Sequence, residues 1–345
     1  MKLAIALFNL GGPDRPASVQ PFLFNLFNDP AIIRGPGPIR LLLAHLISRR
    51  RAPIAREIYE KLGGGSPLLP NTLAQARALE AALADLGEVK ALPAMRYWHP
   101  FADATAREFA AWRPDRLVLL PLYPQFSTTT TASSLKAWHA AAAAAGLAAP
   151  TSELCCYPTQ PGFISASAKI LREALAKAAP LGNPRVLFSA HGLPEKVVQA
   201  GDPYQWQVEQ TAAAVVAALG DATLDSVVCY QSRVGPMKWI GPSTEDEIAR
   251  AGRDRVPLVV LPLAFVSEHS ETLVELDIEY RERAAAAGVP AYVRAPTVST
   301  HPDFIAGLAG MVRALIASAP DAIRSDRGAR LCPVRSTGCP CRAAA

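Results

Sequence analysis

The sequence predicts an α/β protein with parallel sheets, built as two similar halves. Three observations carry this expectation. Short apolar runs alternate with helical patterns, two of those runs recur later in the chain, and the composition supplies a large core. The chain has 345 residues, 50% of them hydrophobic and 19% charged. That length suits two domains. Alternating strand-like and helix-like segments are the pattern of βαβ units around a parallel sheet.

The elements follow in order. "KLAIALFNLGGP" reads as a buried first strand and a turn. Its Lys and short apolar stretch resemble the start of a signal peptide, but no small-residue cleavage site follows. "LPAMRYWHP" and "DRLVLLPLYPQFS" are further strands, and "SSLKAWHAAAAAAG" is the helix after the latter. A second series opens with "PRVLFSAHGLP", continues through "DSVVCYQSRVGP" and "VPLVVLPLAFVSEH", and ends near "PAYVRAPTV". "LFNLGGP" parallels "LFSAHGLP", and "LVLLPLYPQFS" parallels "LVVLPLAFVS". The expected organisation is a first half over 1–175, a second over 176–310, and a C-terminal helix end with a tail over 311–345. The tail, "DAIRSDRGARLCPVRSTGCPCRAAA" from residue 321, is polar, basic and aperiodic, so it is ordered only where something ties it down.

Several classes are excluded on composition. The net charge of +5 is modest, and no basic block with interleaved aromatics points to nucleic acid. No run of 18 apolar residues is present for a membrane-spanning helix. The expectation is a cytosolic protein. Its six cysteines then indicate metal or redox use in place of a disulfide framework.

Ligands of open α/β sheets bind beyond the carboxyl ends of the strands, and Leu10, His191 and Glu268 lie just past such ends. Alone, a histidine in the turn "AHGLP" is equally a structural residue. With Glu268 and His269 at a matching strand end, it becomes equipment for proton transfer or for holding a divalent metal. The run "FVSEHSETLVELDIEY" reads as an α-helix. At roughly 100° per residue, Glu268, Glu271, Glu275 and Glu279 fall within an arc of about 80°. Such like-charge neighbours cost a few tenths of a kcal/mol each. Arg96, Tyr97 and His99 end another strand, either as a polar edge or as a gathering of functional groups. Ile39, Leu42, Leu43, Leu46 and Ile47 follow helical spacing and run into Arg49, Arg50 and Arg51. Such a stripe is ordinarily core. Edged with arginine, it also suits an anionic membrane surface or an apolar ligand bearing carboxylates. Cys332, Cys339 and Cys341 read C-x6-C-x-C, unlike the C-x2-C of structural zinc. A fourth ligand for a cluster or zinc would come from Cys155, Cys156 or Cys229.

Seven segments resemble ferrochelatase, the terminal enzyme of haem synthesis, in that family's order and across residues 1 to about 310. They are "FNLGGP", "RRRAPIAREIYEKLGGGSP", "RYWHP", "LPLYPQFSTTTTASS", "SAHGLP", "QSRVGPMKWIGPSTEDEI" and "PLAFVSEHSETLVELDIEY". The resemblance implies two Rossmann-like halves, each a four-stranded parallel sheet flanked by helices. It implies insertion of Fe²⁺ into protoporphyrin IX with release of two protons. The substrate iron would be handled by His191 and Glu271, with Glu268, His269 and Glu275 extending an acidic path. Leu10 and Phe265 would pack on the ring, with Trp239, Arg96, Tyr97 and Tyr123 beside it, and Arg51 and Ser66 would bind the propionates. A Lys that some members carry three residues beyond that arginine is Ile54 here. The apolar helix at 39–47 matches a lip that receives an insoluble substrate, which implies peripheral contact with the cytoplasmic membrane face and favours protoporphyrin over coproporphyrin III. A subset of the family holds a [2Fe–2S] cluster on C-terminal cysteines. Cys332, Cys339 and Cys341 match it, with Cys156 or Cys155 as the candidate fourth ligand, ahead of Cys229. A monomer or homodimer is expected. The readings left beside this one are metallation of another tetrapyrrole and a non-catalytic haem or iron–sulfur sensor.

Overall fold

The computed structural model describes residues 1–233 and 235–341; Val234 of the "QSRVGP" motif and residues 342–345 of the expected tail lie outside the described residues. The chain divides into two compact units. The first comprises Met1–Tyr123, Ser127–Cys155 and Met311–Ile323, and the second Pro124–Phe126, Cys156–Gly310 and Arg324–Ala345.

The first unit is built on strands β1 (Lys2–Asn9), β2 (Glu88–Met95), β3 (Arg116–Pro121) and β4 (Thr151–Cys156). β1 pairs in parallel with β2, from Lys2 opposite Glu88, and with β3, from Leu3 opposite Arg116. The sheet order is β2-β1-β3-β4-β9, in which β9 is Ile323–Ser325. Leu3 to Phe8 of the central strand are at most 1% exposed, because a parallel strand covered on both faces reads as a continuous apolar run. Helices α1 (Val19–Phe27), α2 (Gly37–Glu60), α3 (Leu68–Ala82), α4 (Ala102–Trp112) and α5 (Thr131–Ala144) supply the cover. Phe8 packs on Trp138 of α5 with ring centroids 5.8 Å apart, and Phe109 of α4 meets the same indole at 6.1 Å.

The second unit repeats the plan. Helix α6 (Pro161–Ala178) leads to β5 (Arg185–His191), then α7 (Glu195–Gln199), α8 (Tyr204–Leu219) and β6 (Ser226–Gln231). Helix α9 (Thr244–Asp254), β7 (Leu258–Pro262), a π-helix (Glu271–Glu279), α10 (Tyr280–Ala286) and β8 (Tyr292–Arg294) follow, and α11 is Pro302–Ala317. The sheet is parallel with order β6-β5-β7-β8. First-four order is therefore the same in both units, second strand, first, third, fourth. The two repeated sequence runs become corresponding strands, β1 with β5 and β3 with β7.

Two expectations change. The first sheet has five strands where four were expected, because the segment after residue 320 adds β9. Asp321 N donates to Thr151 O at 2.6 Å and Glu153 N to Ala322 O at 3.3 Å, so strand β4 finds backbone partners in the expected tail. Residues 271–279 form a π-helix where an α-helix was expected: Tyr280 N donates to Glu275 O, five residues back.

Candidate active site

The strand order reverses between β5 and β7, and a reversal opens a crevice at the carboxyl ends of the strands. His191 is the last residue of β5. Gly192 follows because its backbone runs close: a Cβ there would lie 3.0 Å from Gln231 O and 3.3 Å from the Trp239 ring. His191 Nδ1 is 2.8 Å from Glu271 Oε2. With Nδ1–H donated to a carboxylate, Nε2 is the basic nitrogen. Burial opposes a charge on His191, but Glu271 and then Glu275 outweigh it and raise its pKa. Burial likewise opposes ionisation of Glu271. The His191 charge and hydrogen bond, helped by His269 and Ser232, outweigh it and lower that pKa.

The π-helix puts Glu275 beside Glu271, and both carboxylates reach one serine. Ser232 Oγ donates to Glu275 Oε2 at 2.5 Å and lies 3.4 Å from Glu271 Oε2. Ser232 N donates to Glu275 Oε1 at 2.9 Å, Gln231 Nε2 to Oε2 at 3.1 Å, and Tyr280 OH to Oε1 at 3.0 Å. To aim both its groups this way, Ser232 adopts φ +62°, a left-handed conformation that is uncommon for a side-chain-bearing residue and concentrates at functional sites. Even with four donors the Glu275 pKa is raised, by burial and by the neighbouring Glu271 charge. The pair thus carries one firmly ionised carboxylate and one that takes a proton more readily.

Glu268 departs from the expected stack. It precedes the helix, and its Oε1 accepts from Arg294 Nη1 at 2.7 Å and from Thr297 N at 2.9 Å. Arg294, with only 9% of its side chain exposed, also holds Asp277 at 2.7 Å. Glu268 is therefore neutralised by arginine, while Glu271 and Glu275 act on His191. His269 is buried, its ring 4.5 Å from that of Phe265. Burial lowers its pKa, the opposite shift to that of His191. Its Nδ1 and the indole Nε1 of the half-buried Trp239 have no hydrogen-bond partner among the described residues.

In the first unit the reversal lies between β1 and β3. Leu10, half-buried, follows β1 and accepts at its carbonyl from Tyr97 N at 2.9 Å. Tyr123 follows β3 beyond Leu122, and burial raises its phenol pKa. Tyr97 is 1% exposed, and its hydroxyl donates to Asp29 Oδ2 at 2.8 Å. Arg96 donates from Nη2 to the same oxygen at 2.7 Å and from Nε to Ser133 Oγ at 2.7 Å. Ser66 follows three glycines and donates its N–H to Pro13 O at 2.7 Å. Gly12 permits that approach, since a Cβ there would lie 2.5 Å from the Ser66 side chain. Arg51 is exposed on α2. The helix is amphipathic in the opposite sense to a core stripe. Ala44, Ser48 and Ala52 face inward, while Ile39, Leu42 and Leu46 are 55%, 60% and 54% exposed.

The cysteines separate. Cys332, Cys339 and Cys341 are hydrogen-bonded in series through Cys339, whose pKa is lowered by the thiols of Cys332 and Cys341. Cys156 acts electrostatically on Cys332. Successive strand residues point to opposite faces, so Cys155 does not share the direction of Cys156. Cys229 lies in the core of the second unit against Thr244, and burial pushes its pKa up to about 12. Among the described residues, no group of three or more His, Cys, Asp or Glu side chains forms a metal-ion site.

Sequence reasoning missed Ser232, Gln231, Tyr280 and Arg294 in this site, and Asp29 and Ser133 in the first unit. All of these except Asp29 lay inside quoted segments, but only the folded chain shows what they hold, as with Ser232 and Gln231 on Glu275 of the π-helix.

Two parallel sheets of matching order, one with an imidazole–carboxylate pair at its reversal, place the chain in the chelatase fold class. SirB from Bacillus subtilis, solved with Fe3+, matches with TM-score 0.54 at 12% identity, over 93% of this chain and 100% of that one. The sequence profile of the Ferrochelatase family matches residues 2–315. Relatives named Ferrochelatase include those of Caulobacter vibrioides, 57% identical over 99% of this chain and 98% of the relative, and Phenylobacterium zucineum, 53% identical over the same shares. The chain belongs to the ferrochelatase family.

Proposed function

We propose that the chain inserts Fe²⁺ into protoporphyrin IX, with His191 as the group that takes the pyrrole protons. The observation that carries this reading is the His191–Glu271 pair at the β5/β7 reversal. Metallation breaks two pyrrole N–H bonds, forms the metal–nitrogen bonds of the macrocycle and releases two protons. His191 Nε2 accepts a proton as the general base. Glu271, ionised and 2.8 Å from Nδ1, stabilises the imidazolium that forms. Glu275, whose pKa is raised, is the next acceptor on a route to solvent, and Ser232 bridges the two carboxylates. Returning His191 to its neutral form readies it for the second proton. Leu10, Phe265 and Trp239 are assigned to the ring, Arg96 and Tyr123 to its polar contacts, and Arg51 and Ser66 to the propionates. Buried Tyr97 supports Arg96.

The test is an anaerobic assay with protoporphyrin IX and Fe²⁺. Haem formation that is lost in His191→Ala supports the reading. Porphyrin binding without haem formation, from folded wild-type protein, sinks it in favour of a sensor. Faster turnover of coproporphyrin III would replace the substrate.

We further propose a [2Fe–2S] cluster on Cys156, Cys332, Cys339 and Cys341. The soft thiolate donor set suits iron–sulfur chemistry, and the hydrogen bonds of Cys339 with Cys332 and Cys341 support the three C-terminal ligands, with Cys156 proposed as the fourth. Bound there, the cluster would supply a cross-link for the C-terminal segment. Sulfur-to-iron absorption in anaerobically purified protein, lost in Cys156→Ser but kept in Cys155→Ser, is the expected result.

Peripheral membrane contact is the third proposal, supported by the outward leucines of α2 beside Arg49, Arg50 and Arg51. No described helix is long and apolar enough to cross a membrane. Co-sedimentation with anionic vesicles that fails for neutral vesicles at high salt is the expected behaviour.

A further inference from the structure

We propose that Asp29 is the positioning residue for Arg96, holding its guanidinium as a fixed cation for the porphyrin. The inference rests on the reading above that Arg96 meets the porphyrin. Asp29 stands two residues past α1 and is 3% exposed. A carboxylate removed from water this completely needs its lone pairs filled, and they are filled from four directions. Oδ1 accepts from Ala31 N at 2.8 Å. Oδ2 accepts from Tyr97 OH at 2.8 Å, from Arg96 Nη2 at 2.7 Å and from Ser133 Oγ.

The donors come from three different parts of the unit. Tyr97 and Arg96 follow β2, Ser133 is in the first turn of α5, and Ala31 belongs to the Asp29 turn itself. Ser133 closes a ring, because its Oγ donates to Asp29 while accepting from Arg96 Nε at 2.7 Å. The guanidinium carbon also lies 5.0 Å from the centre of the Tyr97 ring. Two of five guanidinium N–H groups are thus committed and the plane is fixed by the ring beneath it. Three N–H groups remain, on a side chain 23% exposed just past the carboxyl end of the edge strand β2. A flexible arginine would lose rotamer freedom on meeting a ligand; this one has lost it beforehand. Asp29 touches no substrate in this account and acts through Arg96.

The experiment compares Asp29→Asn, Arg96→Met and the double variant in the full-length protein, reading KM for porphyrin, KM for Fe²⁺ and kcat. Asparagine keeps the shape and one acceptor but turns an N–H toward the guanidinium. Asp29→Asn is expected to raise porphyrin KM about tenfold, the size of one charge-assisted hydrogen bond, with KM for Fe²⁺ and kcat unchanged. The double variant should match Arg96→Met alone, since a residue acting through Arg96 has nothing to act on once it is gone. A merely structural role would add to the Arg96→Met effect. Wild-type porphyrin KM in Arg96→Met would overturn the role of Arg96 itself. A raised KM in Arg96→Met with a wild-type value in Asp29→Asn, or additive effects, would overturn the inference alone. If Asp29→Asn folds poorly, Ser133→Ala removes the Nε acceptor and leaves the ion pair. It should raise porphyrin KM about threefold in the same selective way, and no change there counts against the proposal.

Discussion

The two units share a strand order and differ in what stands at its reversal. In the second, the reversal carries groups whose protonation is poised: a histidine with raised pKa, a carboxylate with lowered pKa and another with raised pKa, within one hydrogen-bonded set. In the first, the Arg96 guanidinium and the Tyr97 phenol are both turned onto the buried Asp29 carboxylate, and what stays partly exposed is a fixed cation and the apolar Leu10. Under the proposed assignments, one scaffold used twice separates proton chemistry from substrate holding. The difference teaches that strand order locates a site, while a few residues just past the strands decide its chemistry.

The comparison breaks most directly if chemistry is not confined to the second unit. His191→Ala should lower kcat by about 10³, within the range of a general base, whereas Leu10→Ala at the matching position of the first unit should act chiefly on porphyrin KM. Equal kcat losses in a steady-state assay would erase the distinction. A second expectation concerns the cores, which should be equivalent. Phe8→Ala, under Trp138, and Phe188→Ala on β5, both 1% exposed, should each cost about 3–5 kcal/mol in chemical denaturation. A loss several-fold smaller in one unit would show that the repeat is one of outline only.

The histidines sharpen the contrast through pH. The His191 pKa is raised, so its contribution to stability is full below its unfolded value of about 6.5 and is lost as pH rises through the folded value. The His269 pKa is lowered, so its contribution is present above that unfolded value and is lost as pH falls through the folded value. Melting temperatures of His191→Ala and His269→Ala, each subtracted from wild type across pH 5 to 9, should therefore slope in opposite senses. The smallest effect is on α2 of the first unit. Leu42→Ser, at 60% exposure, should change stability by less than about 0.5 kcal/mol while weakening vesicle binding. A large destabilisation would mean that this leucine is packed.

The α/β class, the repeat and the positions past the strand ends were legible in the sequence, because buried parallel strands write themselves as apolar runs and the runs recur. The His191–Glu271 partnership was legible only through the family resemblance. The acidic stack departs from its reading in two respects. An α-helical wheel assumes 3.6 residues per turn, and neither the wider π-helical turn nor the capture of Glu268 by Arg294 is written locally, since Arg294 is 26 residues away. The stripe on α2 was open to two readings, core or outward lip, because spacing shows that apolar residues share a face, not whether that face is inward; the structure turns it outward. Asp29 gave no signal at all. Its donors, Arg96 and Ser133, are distant in sequence, and only the folded chain brings them together.

Strand β9 carries a consequence for how the chain can be handled. A sheet edge with unpaired N–H and C=O groups is a template for pairing with another molecule, and β9 occupies that edge beside β4. Only three residues long, β9 is a short outermost strand and offers a neighbouring chain less template than a bare β4 would. A chain cut before Asp321 would keep every proposed catalytic residue and present β4 bare, so it should lose solubility before it loses chemistry.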